Sequence, residues 1–226
     1  MQFYELLESE TEQARGYFLS APIIEDVFLG NFDVNTYLAF LNQAYHHVRH
    51  TVPLLMQAGA RLGPHQLWMQ SAVAEYISEE KGHEEWILDD IEICGGDRAA
   101  YANGAAPFDT EVMVSYLYDV VNRGNPVGVF GMVLVLEGTS SSLAPEVAKI
   151  VQEQLKLPDS AMSYLKSHGE LDQEHIQHFE SLMNRIESKD DQTAIIHVAQ
   201  NVYRLYGNVY RAISTEAQTI ALGNAA

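Results

Sequence analysis

The sequence has few cysteines, few basic residues and no long apolar run, and each shortage excludes a class of protein. Cys94 is its only cysteine, so neither an intrachain disulfide nor a cluster of thiolate metal ligands can form. Lysine and arginine number 13 against 31 acidic residues, and the net charge of −18 argues against nucleic acid or an anionic membrane as a partner. The longest apolar run, 127–136, is too short to span a bilayer.

The N-terminus also lacks the features of a secretory signal, because it is acidic and no apolar core follows it. Together with the composition, this predicts a soluble, cytoplasmic protein. The chain has 226 residues, of which 47% are hydrophobic and 19% charged. Such a chain is long enough for one globular domain, which we expect to cover 1–226.

Alternating strand patterns are nearly absent, and helical periodicity dominates the sequence. The periodicity predicts helices at roughly 3–19, 33–60, 64–93, 109–123, 126–139, 143–156, 159–187 and 190–221. Asp33, Asp109 and Asp159 suit N-caps, and Gly63-Pro64 is a helix break. The fold class predicted from these patterns is all-α, with seven or eight helices.

One segment of the predicted 159–187 helix carries the pattern HxxxDxxH. His168, Asp172 and His175 would lie within about 60° of one another on a helix. Apolar residues extend the same stripe, so this face is expected to point inward, whereas His178 lies off the stripe. A solvated polar helix face could carry the same residues, and the pattern alone leaves both interpretations open.

A second cluster lies in the segment EEKGH. The inward stripe of its helix places Glu80 and His83 one turn apart, following Tyr76. Glu79 is the competing choice for the carboxylate. The alternative interpretation, an acidic solvated helix, fits neighbours such as Asp90 well but fits His83 poorly.

Glu137 ends an apolar stretch that contains no other ionisable residue after Arg123. Burying an unpaired carboxylate is costly, so such a residue is neutralised, paired or bound to a metal. The alternative is that Glu137 marks the end of its helix and faces solvent.

Three carboxylates and three histidines therefore form the predicted metal-ligand set: Glu80, His83, Glu137, His168, Asp172 and His175. Carboxylate and imidazole without thiolate suit iron, with manganese as the alternative, and six such ligands suit two ions bridged by carboxylates. A zinc hydrolase would need only three ligands. The ferritin-like arrangement requires a leading acid, which the 33–60 helix does not supply after Asp33.

These motifs, taken in order, resemble those of the haem-oxygenase-like dimetal oxidases, which are relatives of the TENA/THI-4 and PqqC proteins. The resemblance rests on EEKGH, on a glutamate 54 residues after its histidine, and on HxxxDxxH beginning 31 residues later. It implies a haem-oxygenase-like helical bundle, two irons as cofactor, and homodimer formation. It also implies that O₂ oxidises a small organic substrate, such as an organic acid or an amino-acid-like molecule.

His47 is the further candidate, as a substrate contact. It lies on an apolar seam of the 33–60 helix, whereas His46 and His50 share a face with Gln43 and Gln57. A hydrogen-bonded core histidine is the alternative role for His47. A proximal haem ligand is a third, disfavoured because the dimetal ligands would occupy the same interior.

Two other enzyme classes remain as alternatives. A TENA-type thiaminase needs a nucleophilic cysteine in its pocket, and Cys94 at a helix end is poorly placed for that role. A PqqC-like oxidase would use pocket histidines without metal, which Glu137 argues against. A metal-storage protein would need a shell assembly that nothing in the sequence indicates.

Overall fold

The computed structural model describes residues 1–170 and 173–224, and the side chains of 140–142, 168–170, 173–176 and 224 lie outside that description. The described part is a bundle of α-helices without a strand. The helices are α1 (Phe3–Leu19), α2 (Pro22–Leu29), α3 (Val34–Val48), α4 (Thr51–Arg61), α5 (Leu67–Glu80), α6 (His83–Ile93), α7 (Arg98–Asn103), α8 (Phe108–Arg123), α9 (Val129–Leu155), α10 (Ser163–Glu170), α11 (Gln173–Asn184) and α12 (Lys189–Asn224). Short 3-10 turns cover Pro64–Gln66, Pro126–Gly128 and Asp159–Ala161.

The longest helix, α12, lies at the centre of the bundle and packs against α1, α3, α8 and α9. Its buried face repeats at helical spacing, as Ile195, Val198, Val202, Tyr206 and Val209 show. The all-α class predicted from the periodicity is therefore confirmed. Among the described residues no single helix is long and apolar enough to cross a membrane, although Pro126–Thr139 and Leu143–Leu155 pass together as a bent pair by length and composition.

Two predicted helices are each divided in the structure. The 33–60 segment breaks at Arg49 and His50, before Pro53, and gives α3 and α4. The 64–93 segment breaks at Gly82, whose φ of 96° suits glycine and ends the run of helical dihedrals. Asp33 caps α3 as predicted, accepting a hydrogen bond of 2.9 Å from the Thr36 amide.

Elsewhere two helices that were predicted separately form a single helix, and some short helices were not predicted. The segments 126–139 and 143–156 form one helix, α9, which bends by 43° between Thr139 and Leu143. Pro145 lies within it and removes one backbone donor, which explains why it bends. The helix α2 was not predicted.

The face of α3 that carries Gln43 and His46 is buried, although the sequence pattern predicted that only the seam of His47 would face inward. His46 and His47 are both buried, and so is Gln43. The Gln43 side chain donates to Glu216 of α12 at 2.6 Å and accepts from the Thr110 hydroxyl of α8. Gln43 can occupy this face because α8 and α12 cover it and supply its hydrogen-bond partners.

Asp90 is the clearest error among the acids assigned to a solvated face. Its side chain is fully buried on α6. There it accepts hydrogen bonds from the backbone amides of Ser163 at 3.0 Å and Tyr164 at 2.9 Å. These amides open α10, so Asp90 acts as an N-cap supplied by another helix and holds α10 against α6.

Gly131 sets the distance between α9 and α12. A Cβ atom at Gly131 would lie 2.5 Å from the carbonyl oxygen of Ile195 and 2.7 Å from the amide nitrogen of Ala199. Both atoms belong to the backbone, so the contact could be relieved only by moving a helix. At Gly138, further along α9, no atom of the described residues lies within 4 Å of the same position.

We expect Gly131→Ala to destabilise the protein by about 1–3 kcal/mol, because overpacking must separate two central helices. Gly138→Ala is the matched control and should raise stability by about 0.5–1 kcal/mol through helix propensity. Chemical denaturation of both variants measures the difference. Equal effects at the two positions would contradict the close contact.

We expect Asp90→Ala to cost about 2–4 kcal/mol, because it removes a cap and leaves two buried amides unsatisfied. The adjacent Asp89→Ala is the control, since Asp89 is exposed and its ion pair with Arg98 lies at the surface. That change should cost at most about 1 kcal/mol. Similar unfolding midpoints for the two variants would show that the cap is unimportant.

Candidate metal centre

A small cavity of about 40 Å³ opens among the helices and is bordered by two of the predicted ligands, Glu80 and Glu137. It is lined by His47, Val48, Thr51, Leu55, Tyr76, Glu80, Met132, Val133, Leu136, Glu137, Tyr164 and Tyr206. These residues come from α3, α4, α5, α9, α10 and α12. None of them, among the described residues, is lysine or arginine, so no such cation faces the two carboxylates from this lining.

Glu137 reaches this cavity from within α9 and does not mark a helix end. The helix continues to Leu155, and the residue before Glu137 also lines the cavity. Desolvation, and then the charges of Glu80 and Glu79, raise the pKa of the Glu137 carboxyl well above its usual range. A buried carboxyl group in such surroundings either holds a proton or requires a cation beside it.

Glu80 and His83 are brought together despite the helix break between them. Glu80 is the last residue of α5 and His83 the first of α6. The His83 Nδ1 atom lies 3.3 Å from the Glu80 Oε2 atom, and the imidazole is buried. Glu80 lines the cavity, whereas the competing Glu79 is exposed, so the geometry favours Glu80 for the first carboxylate.

The His83 ring is further oriented by Trp86, one turn along α6. The two rings stack with centroids 4.3 Å apart and planes inclined by 25°. This contact, together with the carboxylate of Glu80, restricts the imidazole to a narrow range of orientations. A restricted imidazole binds a metal ion with less loss of side-chain freedom.

The remaining three predicted ligands lie outside the described residues or side chains. His168 is on α10 and His175 is on α11, but their side chains are outside the description, as is the whole of Asp172. Within the described part of the chain, no three histidine, cysteine or acidic side chains form a metal-binding cluster. The contribution of His168, Asp172 and His175 to a metal site therefore stays a prediction. His178 is exposed and lies 3.4 Å from Glu75 on the surface.

His47 lines the cavity together with the two carboxylates, as its position on the apolar seam suggested. Its ring meets Tyr206 edge to face, with centroids 5.6 Å apart. The same cavity thus offers an imidazole, two carboxylates and an aromatic wall. Carboxylate oxygens favour hard cations such as iron or manganese ions.

The Tyr76 hydroxyl is a second observation that fits a bound ion. It is buried at the cavity and has no hydrogen-bond partner among the described residues. Burial and the charge of Glu137 raise the pKa of Tyr76, so the group is a neutral donor. A buried donor without an acceptor is costly, and a ligand or water held at a metal ion would supply one.

Sequence reasoning missed the roles of two tyrosines. Tyr164 and Tyr206 wall the cavity, and the sequence patterns assign neither of them to a site. Their burial follows from the apolar periodicity of α12 and from the first turn of α10. Which cavity a buried tyrosine borders depends on helix packing, which the sequence pattern does not contain.

Solved structures with the same fold support this arrangement of helices. A domain of unknown function with a heme oxygenase-like fold from Shewanella denitrificans matches with a TM-score of 0.84 and 22% identity, covering 98% of this chain and 95% of that one. A TenA homologue from Pyrococcus furiosus matches with a TM-score of 0.71 and 17% identity, over 93% of this chain and 99% of the other.

Heme oxygenase-1 from Synechocystis, solved in complex with heme, is similar with a TM-score of 0.72 and 12% identity, covering 98% of this chain and 97% of that chain. At these identities the likenesses show the haem-oxygenase-like fold alone. No curated protein matches the chain by sequence. The sequence profile of one family, described as iron-containing redox enzyme, matches residues 38–207. This match covers most of the chain and includes every predicted ligand, and the chain belongs to the iron-containing redox enzyme family.

Proposed function

We propose that the protein is a non-haem di-iron oxidase that activates O₂ to oxidise a small organic substrate. The observation that carries the proposal is the pair of carboxylates, Glu80 and Glu137, in one buried cavity whose described lining contains no lysine or arginine. The family's description as iron-containing redox enzymes supports iron over manganese as the metal.

Glu80, His83 and Glu137 are the described residues that would hold the metal, and His168, Asp172 and His175 are the proposed remainder. When bound, two ferrous ions supply electrons to O₂. Tyr76 would donate a hydrogen bond inside the cavity, because its buried hydroxyl keeps its proton and has no acceptor among the described residues. His47 and Tyr206 would form the wall on the substrate side.

The structure gives a specific reason to prefer this function over a TENA-type hydrolase. Burial, and then the charge of Asp90, raise the pKa of the Cys94 thiol to about 11. At neutral pH the residue is therefore a thiol, and the nucleophile in such chemistry is the thiolate. Cys94 also does not line the carboxylate cavity.

A PqqC-like oxidase without metal would leave both carboxylates of the cavity without a function, and their mutual repulsion would only destabilise the fold. The homodimer and the cytoplasmic location are retained as predictions from the family resemblance and the composition. Each is open to a direct measurement of mass in solution or of location in the cell.

Anaerobic titration with ferrous ion should saturate near two equivalents per chain, and the ferrous protein should consume O₂. His83→Ala should weaken at least one site, because it removes an imidazole beside Glu80. His65→Ala is the matched control, since His65 is exposed and does not line the cavity. His175→Ala tests the predicted ligand on α11 by the same titration.

Saturation at zero or one equivalent under several conditions would contradict the dimetal proposal. Cys94→Ala should bind iron and consume O₂ like the parent protein. A metal-independent thiamine hydrolysis that Cys94→Ala abolishes would instead establish the thiaminase alternative.

The metal-free protein should lose stability as the pH rises, because the pKa of Glu137 is raised in the folded state. Stability from this group is complete below the unfolded-state pKa, about 4.3, and is lost as the pH rises toward the folded-state pKa. Glu137→Gln carries no ionisable group and should show less of this loss. Glu146→Gln, exposed on the same helix, should follow the parent.

With ferrous ion bound, the parent should be more stable than Glu137→Gln, because the parent gains binding free energy that the variant lacks. At a hundredfold excess over the dissociation constant this gain is about 2.7 kcal/mol. Thermal unfolding of the parent, Glu137→Gln and the apolar Glu137→Leu, with and without iron, measures both effects. A variant that keeps the full iron-induced stabilisation would show that Glu137 is not a ligand.

A further inference from the structure

A cleft of about 470 Å³ lies between α3, α7 and the C-terminal part of α12, apart from the carboxylate cavity. Its volume is in the range of pockets that bind small organic molecules. Among the described residues, the two sites have no lining residue in common. Glu216 of this cleft follows Tyr206 of the carboxylate cavity by ten residues on α12, which corresponds to about 15 Å along a straight helix. We call this second site the α7 cleft.

Small residues form the side of the α7 cleft that the segment 95–105 supplies. Those that line it there are Gly95, Gly96, Ala100, Gly104 and Ala105. At Gly95, where φ is 89°, a Cβ atom would have no atom of the described residues within 4 Å. Leu38 of α3 and Ile220 of α12 add apolar surface to the lining. The lack of large side chains on one side therefore leaves room for a compact apolar group.

Glu216 supplies a carboxylate to the α7 cleft, and its orientation is fixed by neighbouring amides. One of its oxygens accepts a hydrogen bond from the Asn42 Nδ2 atom, and the other accepts from the Gln43 Nε2 atom at 2.6 Å. Gln43 is only 2% exposed, and its side-chain oxygen accepts from the Thr110 hydroxyl of α8. A network of neutral side chains that extends into the bundle therefore holds this carboxylate at the cleft.

The charge of Glu216 is not balanced by a cation within the described part of the chain. None of the described residues that line the cleft is lysine, arginine or histidine. Arg98, the neighbour of the lining residue Asp97, pairs with Glu85 and Asp89 instead. Burial raises the pKa of the Glu216 carboxyl, although the two amide donors act in the opposite direction. The ionised form is therefore costly here, and a positively charged partner would offset that cost.

The remaining polar groups of the cleft determine which kind of cation fits. The amide nitrogen of Asn42 donates to Glu216, which leaves the side-chain oxygen of Asn42 as a further acceptor. Tyr101 of α7 adds an aromatic ring to the lining. A carboxylate and an aromatic ring both attract an ammonium group, and the acceptor oxygens favour one that carries N–H donors. The apolar surface gives an organic cation a contact that an inorganic ion could not use.

We propose that the α7 cleft binds a small primary ammonium compound with an apolar body. The ammonium group would donate hydrogen bonds to Glu216 and Asn42, and the body would lie against Tyr101 and the small residues of 95–105. A carboxylate on the ligand would be repelled by Glu216 and Asp97. The site is separate from the proposed di-iron centre, so this proposal does not depend on the function proposed above.

Calorimetric titration of the full-length protein with n-pentylamine, 1-pentanol and pentanoate tests this proposal. In about 0.15 M sodium chloride, which screens the general attraction of cations to a net charge of −18, n-pentylamine should bind about tenfold more tightly than 1-pentanol. Pentanoate should not bind. Tetramethylammonium has the same charge but no N–H donor, and should bind about tenfold more weakly than n-pentylamine. Equal affinity of n-pentylamine and either 1-pentanol or tetramethylammonium would overturn the proposal.

Two acids of α12 supply a matched pair of variants. Glu216 lines the cleft, whereas Asp190 is exposed near the start of the helix and does not line it. Glu216→Gln and Asp190→Asn each remove one negative charge. Glu216→Gln should weaken n-pentylamine binding by about tenfold or more, because the ammonium group loses its charged partner, and Asp190→Asn should bind like the parent. Equal affinities in the two variants would show that Glu216 does not hold the ligand.

Two exposed alanines of α7 keep the test decisive if Glu216→Gln fails to fold. Ala100 lines the cleft, and the adjacent Ala99 does not. Ala100→Leu should weaken n-pentylamine binding by occupying part of the cleft, whereas Ala99→Leu should leave it unchanged. Binding that Ala100→Leu does not alter would place the ligand elsewhere. Titration with magnesium chloride completes the test, because Mg²⁺ binding without n-pentylamine binding would replace the ammonium site with an inorganic cation site.

Discussion

Two carboxylates, Glu80 and Glu137, enter one buried cavity from different helices, and the charge that they concentrate there constrains everything around them. Without a cation, at least one must keep a proton, as the raised pKa of Glu137 indicates. Burying two carboxyl groups close together costs free energy of folding, and the rest of the bundle must offset that cost. The net charge of −18 adds a long-range field that attracts cations to the whole protein.

The rest of the bundle supplies the rigidity that this site needs. Gly82 permits the turn that leaves Glu80 and His83 in contact although they belong to separate helices. Asp90 anchors the first turn of α10 from α6, and α10 is the helix that continues to His168. Neither residue faces the cavity, yet each determines the position of a helix that contributes to it.

The parts of the site that the sequence could predict are those that depend on local periodicity. Glu137 stands out because an ionisable residue interrupts an apolar run, and His83 because it shares an inward stripe with Glu80. Asp90 could not be predicted, since its partners are backbone amides more than seventy residues away. The division of the 33–60 segment at Arg49 and His50 has a local cause in Pro53, which lies in the first turn of α4 and has no amide proton to donate to the Arg49 carbonyl.

The contact at Gly131 also bears on how such a protein can diverge. Glu137 lies six residues after Gly131 on α9. Its position relative to α12 therefore depends on the close contact that Gly131 permits between the two helices. Exchanging the acid at 137 changes one side chain of the cavity wall, whereas adding even a methyl group at 131 would force α9 and α12 apart. Descendants of this chain could thus change their reactivity by single substitutions while the spacing of the helices stays fixed. Gly131 therefore restricts substitution more strongly than Glu137 does, although it takes no part in the cavity.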